Sequence, residues 1–317
     1  MTTDAPLSRR DLARLITRIE NGDPLAAPAV RQAYVASGQA HIVGITGAPG
    51  SGKSTLVAAL AKQARTQHAR VAIVSIDPSS PFSGGAILGD RIRMRDLSGD
   101  AGIFIRSMAS RGAVGGLAAA TADVAAVLDA SGYDLILIET VGAGQADIDV
   151  SRVADTVIVV EAPGMGDDVQ AIKAGILEIA DILAVNKADL AGVETTIAAL
   201  RAALELGEAI QDPSDRSARW QTPIVKTVAT RAEGITALLE ALQAHRIWLT
   251  NTGTGLERRQ HRAKLDILSR LRDLAYQHTL NSLGADSIQA MILACAEHRL
   301  DPAAAARELF NTVNPPA

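Results

Sequence analysis

A glycine-rich segment, Gly47–Ser54, could bind the phosphates of a nucleotide, because it fits the pattern G-x-x-x-x-G-K-[ST] between a predicted strand and a predicted helix. Glycines let successive backbone N–H groups converge on phosphate oxygens, and the positive end of the following helix adds to the attraction. We expect Lys53 to reach the β- and γ-phosphates and the Ser54 hydroxyl to hold Mg²⁺. The predicted phosphate-binding residues are Gly47, Ala48, Pro49, Gly50, Ser51, Gly52, Lys53, Ser54 and Thr55.

The tetrapeptide Asn186-Lys187-Ala188-Asp189, directly after a predicted strand, indicates which base is bound. The Asp189 carboxylate can accept hydrogen bonds from N1–H and the exocyclic amine of guanine. Adenine offers neither donor there and would leave the charge unpaired. We expect the Lys187 stem to pack along the base and Asn186 to tie this loop to the phosphate loop. A surface Asn-Lys turn is the alternative, but the position at the end of a late strand favours GTP.

Acidic residues end two further predicted strands. Asp77 and Glu139 would both lie at the edge of a parallel sheet where ligands bind. We expect Asp77 to hold Mg²⁺ directly or through water, Glu139 to bind a metal water or sense the γ-phosphate, and Gly142 to give that phosphate an N–H. A strand-end cap is the alternative for each acid, and for Asp90 the two interpretations are equally open. The candidate catalytic residues are Lys53, Asp77, Asp90 and Glu139, and the candidate metal ligands are Ser54, Asp77 and Glu139.

Continuous apolar strands that alternate with helices position these residues and predict an α/β fold. The expected architecture is a P-loop NTPase with a mostly parallel sheet covered by helices on both faces. Three parts are predicted: a helical N-terminal segment at 1–38, a nucleotide-binding domain at 39–250, and a helical C-terminal arm at 251–317 that begins with a linker. The predicted strands are 41–46, 71–76, 103–105, 135–138, 156–160, 182–185 and 224–227.

Composition narrows the class of protein. The chain of 317 residues is 48% hydrophobic and 21% charged with a net charge of −4, which is typical of a globular protein and unlike a dedicated nucleic-acid binder. The single cysteine, Cys295, excludes an internal disulfide framework. No uncharged apolar run reaches the roughly 18 to 20 residues of a membrane helix, and the N-terminus lacks a secretory signal. We therefore expect a cytoplasmic protein without membrane or nucleic-acid partners.

Several segments together resemble the methylmalonyl-CoA mutase-associated GTPases, also called the MeaB or ArgK type. The likeness covers nearly the whole chain. It is carried by Asp77-Pro78-Ser79-Ser80, the segments 84–94, 106–112 and 115–118, Glu139-Thr140-Val141-Gly142-Ala143-Gly144-Gln145, and the segment 163–170.

The resemblance implies a SIMIBI-class G domain, usually a homodimer, that chaperones an adenosylcobalamin-dependent acyl-CoA mutase. Such proteins use GTP binding and hydrolysis to gate cofactor loading and to protect or reactivate the mutase. Intrinsic hydrolysis is expected to be slow and stimulated by the partner. The resemblance assigns Asp77, Asp90 and Glu139 to the metal and switch region. It also implies a switch that reports the nucleotide state, with Asp168, Gln170 and Lys173 as its candidate residues.

Two features depart from the family pattern. The last guanine loop, which usually carries Ser-Ala, reads Val228-Ala229-Thr230. Val228 has no hydroxyl to form the usual hydrogen bonds of this loop, whereas backbone contacts to the base are expected to survive. Ala146-Asp147 replaces the usual Ser-Glu after Gln145. A small-molecule P-loop kinase, a nucleotide-gated binding module and a metal-delivery GTPase remain alternatives. Histidine-rich tracts and a Cys-x-Cys-Cys motif are absent, which disfavours metal delivery.

The predicted arm carries an apolar stripe formed by Leu265, Ile267, Leu268, Leu271 and Leu274. A lone helix could not bury this stripe by itself. It either packs on the parent domain or forms a dimer contact, and the sequence favours neither.

Overall fold

The computed structural model describes residues 7–78, 95–97, 99–110, 116–140, 148–164, 174–209 and 219–313. Seven strands within these ranges form one sheet, in which every paired strand runs parallel to its neighbour. The strands are β1 (His41–Gly47), β2 (Val71–Pro78), β3 (Ile103–Ser110), β4 (Leu135–Thr140), β5 (Thr156–Glu161), β6 (Ile182–Val185) and β7 (Ile224–Lys226). Their order across the sheet is β3-β2-β4-β1-β5-β6-β7, which confirms the predicted parallel α/β sheet.

The two faces of the sheet bury alternate residues of the same strands. In β4, Ile136 and Ile138 face one apolar cluster, whereas Leu135 and Leu137 face the other. Side chains of successive strand residues point to opposite faces, so a strand covered on both sides needs an uninterrupted apolar run. This requirement explains why the strands were recognisable from the sequence.

Helices cover both faces. The first cluster includes Leu12 and Ile16, and the second includes Leu60 and Leu238. The helices are α1 (Arg9–Glu20), α2 (Ala27–Ala36), α3 (Lys53–Thr66), α4 (Gly116–Ala130), α5 (Ala174–Glu178), α6 (Val193–Ala209), α7 (Ile235–Thr252), α8 (Thr254–Ser282), α9 (Ala285–Ala296) and α10 (Pro302–Val313). Helices α1, α2 and α4 contribute to the first cluster, and α3 and α7 contribute to the second.

The N-terminal helices dock on the sheet through both apolar and charged contacts. Helix α1 begins after Ser8, whose side chain accepts a hydrogen bond from the Asp11 backbone N–H. It buries Leu12, Ile16 and Ile19. At its last residue, Glu20 forms a 2.6 Å ion pair with Arg106 of β3, and both side chains are largely buried.

The C-terminal part differs from the prediction at its beginning. The structure has no extended linker at 251–255, because α7 continues to Thr252 and α8 begins at Thr254. Gly253 separates the two helices in a left-handed conformation (φ 77°), which ends α7 in a single residue. The chain divides into two compact units, 1–260 and 261–317. The domain boundaries at 38 and 250 stay predictions.

Much of the predicted apolar stripe on α8 is exposed. Ile267, Leu268, Leu271 and Leu274 each leave 51–69% of their surface open to solvent. Among the described residues, no helix combines the length and apolarity that a membrane span requires.

A chain of five polar side chains, four of them buried, joins the amino ends of three strands. His41 Nε2 lies 2.7 Å from Thr156 Oγ1, and the same hydroxyl lies 2.8 Å from His245 Nδ1. His245 Nε2 is 3.4 Å from Asp181, whose carboxylate accepts two hydrogen bonds from Arg258 at 3.1 and 2.9 Å. We refer to these five residues as the amino-edge cluster. It lies at the opposite edge of the sheet from the strand ends where ligands bind in such folds.

Both tryptophans pack against this cluster. The rings of Trp220 and His245 are 4.7 Å apart, and Trp248 stacks on His245 at 5.6 Å. The Trp220 indole N–H donates to the Asp181 carbonyl at 2.7 Å. The indole rings therefore enclose the imidazole and keep water from it.

Candidate functional site

The phosphate loop joins the end of β1 to the start of α3, and two of its glycines cannot carry a side chain. At Gly47 (φ 139°) a Cβ would lie 2.1 Å from the carbonyl oxygen of Val160 in β5. At Gly52 (φ 92°) a Cβ would lie 2.4 Å from Nδ2 of Asn186. Both glycines thus combine a positive φ with a close neighbour, a backbone carbonyl at Gly47 and the Asn186 side chain at Gly52, which only glycine accommodates without strain.

The loop presents the N-terminus of α3 to a ligand. Within the described part of the chain, no side chain caps this helix at Gly52, and backbone N–H groups of a first helical turn lack intrahelical acceptors. Such an end attracts anions. Ser51 Oγ is buried and has no hydrogen-bond partner among the residues that the structure describes. A phosphate oxygen is the kind of acceptor that these groups fit.

Lys53, the first residue of α3, folds its side chain back across the loop. Its Nζ donates to the carbonyl oxygens of Gly47 at 2.8 Å and Ala48 at 3.0 Å. Only 6% of Lys53 is exposed. The ammonium is therefore buried against the backbone of the loop that is expected to bind phosphates.

A hydroxyl and a carboxylate meet beside the loop. Ser54 Oγ donates to Glu139 Oε1 at 2.6 Å, and both residues are buried. The register of the sheet produces this contact, because Glu139 of β4 pairs with Ile45 of β1, two residues before the phosphate loop begins. Hydroxyl and carboxylate oxygens are ligands that Mg²⁺ prefers, usually completed by phosphate oxygens and water. The donor set therefore fits the predicted ion.

Asp77 lies at the same edge of the sheet. It is the last residue but one of β2, and the pairing of Ser75 with Glu139, two residues earlier in β2, places this strand next to the acid of β4. The side chain of Asp77 lies outside the described residues. Outside them as well lie the predicted positions Asp90, Gly142, Asp168, Gln170 and Lys173.

Asn186 links three segments of the site. Its Nδ2 donates to the carbonyl oxygen of Ser51 at 2.9 Å, and its Oδ1 accepts from Ala229 N at 3.1 Å and from Thr227 Oγ1 at 3.2 Å. The side chain is 2% exposed. The phosphate loop, the tetrapeptide and the loop after β7 are therefore held together by one amide.

Lys187 adds a second link between the tetrapeptide and the phosphate loop. Its backbone has a positive φ of 55°, and its Nζ donates to the carbonyl oxygen of Gly50 at 2.7 Å. The aliphatic stem thus spans the distance between two loops. An extended aliphatic stem in this place is suited to pack against the face of a base.

Asp189 and the loop after β7 complete the proposed base pocket. Asp189 is 37% exposed and lies 3.4 Å from the guanidinium of Arg231. Of the three predicted loop residues, Val228 and Ala229 are buried and Thr230 is exposed at the tip. An exposed carboxylate beside these backbone groups can accept N–H donors from a base edge.

Sequence reasoning missed two contributors. Thr227 holds the Oδ1 atom of Asn186, and Arg231 contacts Asp189. Thr227 directly precedes the predicted loop 228–230, and Arg231 directly follows it. The available signal was a polar residue at the end of a strand. The pairings themselves depend on contacts across the fold, which the sequence pattern does not carry.

Comparisons with known proteins agree with the resemblance that the sequence motifs indicate. A sequence model of the family described as Methylmalonyl Co-A mutase-associated GTPase MeaB matches residues 12–283. The chain is 46% identical over 305 residues to a Pyrococcus abyssi protein named as a GTPase, with 96% of this chain and 93% of that protein covered. It is 32% identical over 310 residues to the GTPase ArgK of Escherichia coli, with 95% and 92% covered.

Two further comparisons extend this picture. The mitochondrial methylmalonic aciduria type A homolog of Mus musculus is 33% identical over 236 residues, which cover 74% of this chain and 56% of that protein. A crystal structure described as LAO/AO transport system kinase superposes with a TM-score of 0.65 at 23% identity, covering 98% of this chain and 100% of that one. The structural likeness bears on the fold alone.

Proposed function

Because this chain belongs to the methylmalonyl-CoA mutase-associated GTPase family MeaB, we propose that it is a chaperone of an adenosylcobalamin-dependent acyl-CoA mutase. The chain is a GTPase by its family and by the names of its relatives. The proposed mutase partner rests on the name of the family and on the likeness to a methylmalonic aciduria type A homolog. The structural observation that supports GTP as the substrate is the Asn186 amide, which joins the phosphate loop to the proposed base pocket.

The phosphate loop is proposed to bind the β- and γ-phosphates of GTP. Lys53 would exchange the carbonyl oxygens of Gly47 and Ala48 for phosphate oxygens, and the first-turn N–H groups of α3 would bind the β-phosphate. A compact ammonium in this position offsets negative charge as the bond between the γ-phosphorus and the leaving oxygen breaks. Water attacks the γ-phosphorus, and GDP and phosphate leave.

Ser54 and Glu139 are the described residues proposed to hold Mg²⁺, with Asp77 as a further candidate at the same edge. When bound, Mg²⁺ supplies positive charge to the β- and γ-phosphate oxygens. Glu139 orients the Ser54 hydroxyl through the 2.6 Å hydrogen bond. Beyond the described residues, Asp90 and Gly142 are proposed to contact the metal region and the γ-phosphate.

The nucleotide state is proposed to reach the mutase through Asp168, Gln170 and Lys173. We expect slow intrinsic turnover, on the order of 10⁻⁴ to 10⁻² s⁻¹, because P-loop GTPases without a completed site hydrolyse at such rates. The adenosylcobalamin is expected to be held by the mutase. GTP hydrolysis would then gate loading of that cofactor into the mutase and its reactivation.

A second copy of the chain is proposed to cover the exposed stripe on α8. The four exposed residues of the stripe, Ile267, Leu268, Leu271 and Leu274, recur at spacings of one, four and seven, which places them along one face of a helix. A row of large apolar side chains that is half or more exposed is typical of an interaction surface. A homodimer would bury it on both copies at once.

The base preference is tested with Asp189→Asn. Wild-type protein titrated calorimetrically with GDP and ADP in Mg²⁺ should bind ADP more than about 100-fold more weakly, because adenine leaves the carboxylate unpaired. Asp189→Asn should lose GDP affinity and gain affinity for xanthosine diphosphate, whose 2-oxo group accepts the new amide N–H. Glu194→Gln, which removes a carboxylate paired with Lys226 on the surface, is the matched control and should behave as wild type.

The same titration separates the alternatives. ADP binding equal to or tighter than GDP would contradict guanine recognition and favour a small-molecule kinase.

The chaperone role is tested by adding purified adenosylcobalamin-dependent methylmalonyl-CoA mutase and measuring phosphate release from GTP. We expect release to accelerate at least about 10-fold, because partners that complete a GTPase site accelerate hydrolysis by up to about 10³- to 10⁵-fold. An unchanged rate, with no complex in gel filtration, would contradict this mutase as the partner.

A further inference from the structure

The loop after β7 forms a small closed unit next to Asp189. Val228 and Glu233 pair through two backbone hydrogen bonds of 3.0 and 3.3 Å, and Ala232 closes the turn with a positive φ of 56°. The Ala229 N–H donates to the buried Asn186 side chain at 3.1 Å. The loop, which carries Arg231 near its tip, is therefore fixed at its base and tied to the tetrapeptide that carries Asp189.

The guanidinium of Arg231 bridges two carboxylates. It donates from Nε to Glu233 Oε1 at 2.7 Å and from a terminal nitrogen to Glu233 Oε2 at 3.4 Å. The other terminal nitrogen donates to Asp189 Oδ2 at 3.4 Å. The hydrogen bond that Arg231 donates to Glu233 raises the pKa of Arg231, and the charge of Asp189 adds to this effect. Glu233 thus fixes the arginine from one side and leaves one N–H edge directed at Asp189.

Among the described residues, Arg231 is the one hydrogen-bond donor to the Asp189 carboxylate. Val228, at the beginning of the loop, has no polar side-chain atom that could do so. A partly exposed aspartate rotates about its side-chain bonds unless a partner restricts it, and ordering it on binding costs free energy.

The stereochemistry of guanine makes that orientation important. Guanine offers N1–H and its exocyclic amine to the two carboxylate oxygens, so the carboxylate plane must align with the base. An ionised carboxylate has about four acceptor positions, so one donor from arginine leaves room for both donors of the base. A donor on the outer side of Oδ2 can align the group without displacing the base.

We propose that Arg231 is a positioning residue for guanine recognition, which fixes the carboxylate plane of Asp189, and that Glu233 holds Arg231 in place. The proposal rests on the proposed function, because it requires that Asp189 reads the base. In this proposal Arg231 acts through Asp189 and does not contact the phosphates. Its effect should therefore depend on which base the nucleotide carries.

The test compares Arg231→Met with wild type in calorimetric titrations of GDP, inosine diphosphate and ADP. Loss of one 3.4 Å contact between two partly exposed side chains should weaken GDP binding about 3- to 5-fold. Inosine diphosphate, which lacks the exocyclic amine and needs less alignment, should weaken by no more than about 2-fold by the same reasoning. The ratio of the GDP and inosine diphosphate affinities should therefore shrink. Arg231→Lys, which keeps one donor, should recover part of the ratio.

Lys226→Met is the matched control. It removes one exposed positive charge from a surface ion pair with Glu194, near the same end of β7. If Arg231 only attracted the nucleotide electrostatically, both variants would weaken all three nucleotides alike. In the Asp189→Asn background, Arg231→Met should change xanthosine diphosphate affinity less than about 2-fold, because the ionic partner is gone.

The outcomes separate this inference from the proposed function. Wild type that does not prefer GDP over ADP overturns the proposed function. Wild type that prefers GDP, combined with an unchanged Arg231→Met, overturns the positioning role and leaves a surface ion pair. Tighter GDP binding by Arg231→Met also overturns it, because the arginine then competes with the base. If Arg231→Met lowers the midpoint temperature of thermal unfolding, the GDP and inosine diphosphate affinities of Arg231→Lys test the positioning role instead.

Discussion

Acidification from pH 7 to pH 5 is expected to lower the free energy of unfolding by about 4 kcal/mol through two buried histidines, His41 and His245. Both belong to the amino-edge cluster, and each contacts the Thr156 hydroxyl. The other four histidines of the chain, at 68, 261, 278 and 298, are exposed. The two buried imidazoles are therefore the ones whose protonation conflicts with the fold.

Burial lowers the pKa of His41 from 6.5 to about 4. Asp155 opposes this shift, whereas the positive charge of Arg246 and the neighbouring His245 add to it. Desolvation is the largest of these effects. A proton on His41 would place a charge where water cannot reach it.

Burial also lowers the pKa of His245 to about 4. The carboxylates of Asp181 and Asp155 favour the charged imidazole, and Arg258 disfavours it. Asp181 is a weak counter-ion here because Arg258 already donates two hydrogen bonds to its carboxylate. The proximity of Asp181 therefore does not make His245 an ion-pair partner at neutral pH.

The sign follows from proton binding. Both pKa values in the fold lie below the unfolded value of 6.5, so between these values the unfolded chain binds more protons than the folded chain. Stability that is present above pH 6.5 is lost as the pH falls towards 4. Between pH 7 and pH 5 each histidine accounts for about 2 kcal/mol.

Urea unfolding measures this loss, with the emission of Trp220 and Trp248 as the signal, because both rings pack on His245. His245→Gln keeps a hydrogen-bonding group that does not titrate, so its loss between pH 7 and pH 5 should be about 2 kcal/mol smaller than that of wild type. The exposed His68→Gln is the control and should match wild type. Equal losses in wild type and His245→Gln, or an imidazole NMR titration of either buried histidine above pH 6, would refute the reasoning.

Two further predictions concern the nucleotide site. Gly52→Ala should lower the free energy of unfolding in urea by about 1–3 kcal/mol and weaken GDP binding, because its Cβ would meet Asn186 Nδ2 at 2.4 Å in a left-handed backbone. Gly99→Ala, whose Cβ would meet none of the described residues within 4 Å, should be neutral, and equal losses in the two variants would contradict the steric argument. Ser54→Ala should bring the ratio of GTP affinities with and without Mg²⁺ close to one, because it removes the hydroxyl bonded to Glu139. Ser54→Thr should keep that ratio, and a full Mg²⁺ response in Ser54→Ala would argue against a ligand at this position.

The parts of the fold that were predictable have local signals. The strands are continuous apolar runs because both faces are covered, and the phosphate loop is defined by glycines and a lysine at fixed spacing. The parallel sheet, the family and the GTPase activity are confirmed. The individual site residues stay predictions, although Ser54 and Glu139 lie in contact, as do Asn186 and Ser51.

The parts that were not predictable depend on contacts between distant segments. Strand β3 was expected at 103–105 but extends to Ser110, because β2 pairs with it over eight residues despite polar side chains such as Arg106. His41 and His245 are separated by most of the chain, and only the fold brings both to one hydroxyl. A scattered residue type gives no periodic signal.

Strand β6 fixes the distance between Asp181 and Asn186. Its four residues, Ile182–Val185, are completely buried, with Asp181 of the amino-edge cluster before them and Asn186 of the base pocket after them. One inserted or deleted residue would exchange the faces of the strand and displace one end by about 3.3 Å. Substitution of one apolar residue by another within β6 conserves the spacing. An insertion or deletion would separate Asp181 or Asn186 from its hydrogen-bond partners. Comparative searches can therefore treat Asp-(four apolar residues)-Asn-Lys-x-Asp as one unit of fixed length.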